Sequence, residues 1–68
     1  MHQRCEGLVR FFDRSRGVGY VVPFGRREII TVHRTDLAPG CRTLAEGQHV
    51  SFRLRLGQGR FEAFDVQP

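Results

Sequence analysis

The chain has 68 residues, enough for one small domain with a single buried cluster and too few to enclose a deep catalytic cavity. Its formal charge is +4, and all 11 basic residues are arginine. A guanidinium keeps its charge, forks onto phosphate and stacks on planar groups, so the balance points toward nucleic acid, although GC-rich coding alone accounts for the missing lysine.

The N-terminus, MHQRCEG, has no apolar core of a leader, and no later run approaches the length needed to span a membrane. Cys5 and Cys41 are far apart, and a secreted chain this small usually carries more cysteine, so both read as reduced thiols of a cytoplasmic protein. His2 and His33 do not complete a zinc site with them, because no Cys-x-x-Cys pair anchors one. No metal, cofactor or small-molecule substrate is implied.

Leu8 to Phe12 has strand character, but the adjacent Phe11 and Phe12 break strict alternation. Either one ring points in and one out, or a bulge puts both on the surface. Asp13-Arg14-Ser15-Arg16-Gly17 is rich in turn formers. Val18 to Val22 makes the second strand, stopped by Pro23, with Val18 and Tyr20 on one face and glycines on either side of Val18. An aromatic face with arginines at 10, 14 and 16 around it suits stacked bases and a phosphate backbone. The segment from Phe24 to Glu28 is a short connection.

Ile29 to His33 is a third strand, with Ile30 and Val32 expected inward and Thr31 and His33 outward. Ala38-Pro39-Gly40 is a loop signal, and the chain stays irregular from Cys41 to Gln48, with a turn at Glu46-Gly47. Val50, Phe52, Leu54 and Leu56 alternate with polar residues and predict a half-buried fourth strand. After Gly57-Gln58-Gly59, residues Arg60 to Val66 form a fifth, with Phe64 and Val66 expected on its inner face. Five antiparallel strands without a helix predict an all-β domain over residues 1–68, a five-stranded barrel of the OB type, with an SH3-like barrel as competitor.

The motifs carry a family resemblance. Gly7-Leu8-Val9-Arg10-Phe11-Phe12-Asp13 followed by Arg16-Gly17-Val18-Gly19-Tyr20-Val21 resembles the cold-shock domain, which opens G-x-V-K-W-F-N and continues K-G-F-G-F-I. Ile30-Thr31-Val32-His33-Arg34 is similar to the family's V-F-V-H-F, and the later stretches Arg42-Thr43-Leu44 and Glu46-Gly47-Gln48-His49-Val50-Ser51-Phe52 resemble K-T-L and E-G-Q-x-V-x-F. The match keeps the family's order over nearly the whole chain.

The resemblance implies a sheet surface on which exposed rings stack on bases of single-stranded RNA or DNA. Phe11 stands where the family has tryptophan and Tyr20 where it has phenylalanine, and Phe12 and His33 match. Val18, Thr31 and Arg34 replace phenylalanines, and Cys41 occupies an aromatic loop position. Arg10, Arg16 and Arg42 stand where the family carries lysine near phosphates. The expected nucleic-acid-binding residues are therefore Arg10, Phe11, Phe12, Arg16, Val18, Tyr20, His33, Arg34 and Arg42.

Stacking is worth about 1–3 kcal/mol per base, so losing two platforms weakens binding by roughly two to four orders of magnitude. Arg34 laid over a base and the basic surface offset part of that loss. The expectation is a cold-shock-like RNA chaperone or regulator of transcription or translation, weaker and more salt-sensitive than its relatives. The contrasting reading is a degenerate barrel that serves as a protein-interaction module. A monomer is expected, with a strand-swapped dimer as the alternative. Catalysis finds no support, since the seven carboxylates are scattered and no nucleophile has a recognisable base nearby.

Overall fold

Short alternating segments with glycine and proline between them leave strands that must roll up to bury one face. The computed structural model describes residues 4–68 and contains β1 (Cys5–Asp13), β2 (Val18–Pro23), β3 (Ile30–His33), β4 (His49–Leu56) and β5 (Phe61–Gln67). These close into a barrel in the order β1-β2-β3-β5-β4, the OB-type arrangement. A single 3-10 turn, Arg34–Asp36, follows β3.

One expectation is corrected here. Neighbouring strands are antiparallel except β3 and β5, which run parallel with Thr31 opposite Glu62. The reason is parity: a closed ring with an odd number of strands cannot alternate direction all the way round.

The core comprises Val9, Val21, Ile30, Val32, Leu44, Val50, Phe52, Ala63 and Val66. Ile30 and Val32 point inward, and His33 is exposed, as alternation predicts. Leu44, from the irregular connection before β4, is the one core residue that is not on a strand. Cys5 and Cys41 are free thiols, each half-buried against this core.

The inner faces of β4 and β5 differ from the simple alternation. Val50 and Phe52 are fully buried, but Leu54 is only partly so and Leu56 is 71% exposed, because β4 runs past the end of the core. On β5 the inward pair is Ala63 and Val66 rather than Phe64 and Val66. The register slips between Ser51 and Arg53, and Asp65 adopts a left-handed φ of 52°. That irregularity moves the inward positions three residues apart and leaves Phe64 outside, with the Arg55 guanidinium 5.2 Å from its ring centroid.

Candidate nucleic-acid interface

The aromatic face owes its existence to one irregularity in β1. Cross-strand pairing with β2 is regular through Val9↔Val21, skips Arg10, and resumes at Phe11↔Tyr20. Unbroken alternation from the buried Val9 would turn Phe11 inward. The extra residue reverses the sense of the strand, so Arg10 and Phe11 are both exposed and Phe12 turns back against the core. Of the two arrangements open in the sequence, one ring out and one in is observed, with a bulge as its cause.

Phe11 and Tyr20 then lie side by side, 44% and 43% exposed, with ring centroids 6.4 Å apart and planes inclined by 29°. Tyr20 pairs on its other side with Thr31, and Val18 pairs with His33. Strand alternation puts all five residues on one outer face. Gly19, between Val18 and Tyr20, allows the close approach of β1. A Cβ there would land on the Phe11 carbonyl oxygen and 2.8 Å from both the Phe12 Cα and its ring.

The β1–β2 turn is tied by its own aspartate. Asp13 Oδ1 accepts hydrogen bonds from the Ser15 hydroxyl (2.7 Å), the Ser15 N–H (3.0 Å) and the Arg16 N–H (3.2 Å). The Ser15 hydroxyl bond, followed by the Arg16 amide, holds the Asp13 carboxyl below its ordinary value of 3.8. Arg16 projects outward, its guanidinium only loosely associated with Asp13 at 4.0 Å.

Gly17 closes the turn at a φ of 69°, and its side-chain position is taken by Arg34. The Arg34 N–H donates to the Gly17 carbonyl at 2.7 Å, and a Cβ on Gly17 would meet the Arg34 Nε at 2.6 Å. Arg34 is thereby laid along the end of the platform beside Val18 and His33. The corner is braced from behind by the buried Asp36. One of its oxygens accepts from the His33 N–H at 3.2 Å and the other from the Arg55 guanidinium at 2.7 Å.

Eight of the nine expected residues thus lie on β1, β2, the turn joining them, the end of β3 or the 3-10 turn that follows it. Arg42 is the exception; it is exposed in the connection before β4 and makes no ion pair among the described residues. Arg10, Arg14, Arg27, Arg34 and Arg60 are likewise without an ion pair among the described residues. Cys41, in place of the loop aromatic, packs inward and offers no platform.

Sequence reasoning passed over Phe61, which is 47% exposed and shares a groove with Tyr20, Glu28, Ile29, Thr31 and Arg60. The available signal was an aromatic residue immediately after a glycine turn and beside an arginine. Phe24 is 54% exposed and meets the His49 ring edge-on at 5.2 Å, beside a second shallow groove with Leu8 and Val22.

Residues 5–68 match the family model of the 'Cold-shock' DNA-binding domain. Cold shock-like protein CspG of Shewanella violacea is 36% identical over 67 residues, which cover 97% of this chain and 96% of that protein. The chain belongs to the cold-shock domain family. Members of this family generally bind nucleic acid. Major cold shock protein CspA of Pseudomonas aeruginosa is 33% identical over 98% of this chain and 97% of its own length. Glycine-rich protein 2 of Nicotiana sylvestris is 38% identical over 94% of the chain, which spans only 31% of that longer protein. The solved structure of drosophila Unr CSD456 superposes with a TM-score of 0.78 at 18% identity, over 96% of this chain and 26% of that one, a likeness of fold. No helix among the described residues is long and apolar enough to cross a membrane.

Proposed function

We propose that this cold-shock domain binds single-stranded RNA or DNA by stacking bases on the outer face of β1, β2 and β3, with arginines holding the backbone. The observation that carries this reading is the exposed pair Phe11 and Tyr20, near-parallel at 6.4 Å, with Val18, His33 and the arm of Arg34 continuing the surface. Phe12 acts from beneath, covering Gly19 and setting the spacing of β1 and β2. Arg10, Arg16 and Arg42 contact phosphates. Three such contacts on a single strand correspond to a slope of about −2 in log affinity against log salt.

Three of the family's sheet rings are absent at Val18, Thr31 and Arg34, so affinity is lower and more salt-dependent than in relatives that keep them. Weak, rapidly exchanging binding suits an RNA chaperone or a regulator of transcription or translation that acts as a cytoplasmic monomer.

Fluorescence anisotropy of an end-labelled thymidine or uridine heptamer, titrated at two salt concentrations beside its duplex, tests the proposal. Tighter binding of the single strand, weakening with salt, is the expected result. Absence of binding at low salt would refute it and point to a protein partner instead.

A further inference from the structure

We propose that Phe61 supplies an additional base-stacking platform beside Tyr20, which moves the aromatic surface from β3 onto β5. The inference rests on the single-strand reading above and deepens it. On β3 the central outward position is Thr31, whose small side chain leaves a groove rather than a ring. The parallel register of β3 and β5 sets Thr31 opposite Glu62. Phe61, the preceding residue at the start of β5, lines the groove together with Tyr20 and Thr31.

The ring of Phe61 is outside the core cluster, 47% exposed, and its cross-strand partner Leu56 is 71% exposed. Phe64, three residues on, shows the contrast: its ring is covered by Arg55. Removing half of an exposed ring from water needs a partner, and the groove's chemistry says which kind.

Two aromatic walls and the exposed Ile29 fit a flat, largely apolar group. Thr31 and the Glu28 carboxylate add hydrogen-bonding atoms for the edge of such a group. Glu28 is paired with Arg26 at 3.6 Å, whereas Arg60, exposed and without an ion pair among the described residues, lines the groove free to meet a phosphate beside it. A nucleobase with its phosphate outside satisfies all of these groups.

The chain has no tryptophan, so Phe61→Trp places a sole indole at the groove and makes stacking directly visible. With heptathymidine as probe, the indole emission of Phe61→Trp is expected to be quenched in step with the anisotropy of the labelled strand. Phe61→Ala is expected to weaken binding by about 5- to 150-fold with an unchanged salt slope, since a ring and no charge is lost. Unaltered affinity in Phe61→Ala, or an unquenched indole, alongside weakened binding in Tyr20→Ala, would overturn the Phe61 assignment and leave the platform reading standing. If the unmodified protein does not bind the heptamer at all, both fall together.

Discussion

On the outer face of β4 and β5, Arg55 lies over the Phe64 ring and donates to Asp36 at 2.7 Å, while Arg53 and Arg4 both approach Asp65, at 3.8 and 2.8 Å. On the outer face of β1 to β3 the same residue types stand open. Phe11 and Tyr20 have no cation above them among the described residues, and Arg10 and Arg34 have no carboxylate partner there. A guanidinium whose charge is matched and whose donors are engaged has little to offer a phosphate, and a covered ring has no face for a base. Residue composition is therefore a poor guide to which side of a small basic barrel binds. Asp36, Glu62 and Asp65 engage the arginines of the β4 and β5 face, and the open face of β1 to β3 has no such set beside Arg10 and Arg34 among the described residues.

Substitutions can break that division, and the largest effect is expected where the open face is built. Gly19→Ala drives a Cβ into the Phe11 carbonyl and the Phe12 ring and is expected to cost about 3 kcal/mol, most of what a core this small supplies. Urea unfolding followed by circular dichroism would measure it. Tyr20→Ala separates the two properties: about 1–3 kcal/mol of single-strand affinity is lost in titration, while the denaturation midpoint barely moves. Arg55→Ala should do the reverse. It strips Asp36 of its cation and Phe64 of its cover, lowering stability by about 1–2 kcal/mol, while the salt slope stays and affinity falls less than in Tyr20→Ala, through the His33 corner alone.

The smallest effect is local and depends on pH. Because hydrogen bonds lower the Asp13 pKa, its contribution to the turn is complete above its ordinary value of 3.8 and is lost as pH falls through the folded-state value below that. The amide resonances of Ser15 and Arg16 are expected to titrate together with a midpoint below 3.8, while those of core residues such as Val21 stay still. A midpoint above 3.8 would mean that the turn is not tied by that carboxylate.

Much of this was legible before any coordinates. Period-two patterning located all five strands, and the motif order around Gly17, Tyr20 and His33 identified the family. What escaped the reading came from irregularities that periodicity does not register. The β1 bulge at Arg10 decides that Phe11 and not Phe12 faces out, and the left-handed Asp65 expels Phe64 from the core. Leu44 enters the core from an irregular segment, where no alternation announces it. The groove shared by Phe61 and Thr31 escaped because only a parallel pairing of strands distant in sequence brings those residues together. The closed ring of five strands made one parallel pair unavoidable, and that consequence was open to deduction.

Amide chemical-shift mapping of the uniformly 15N-labelled protein during titration with heptathymidine tests the division of faces most directly. Perturbations are expected along residues 10–20, at Thr31 to Arg34 and at Arg60 and Phe61, with Arg53, Arg55 and Phe64 unmoved. Shifts centred on Arg53, Arg55 and Phe64, with Tyr20 and His33 silent, would contradict it.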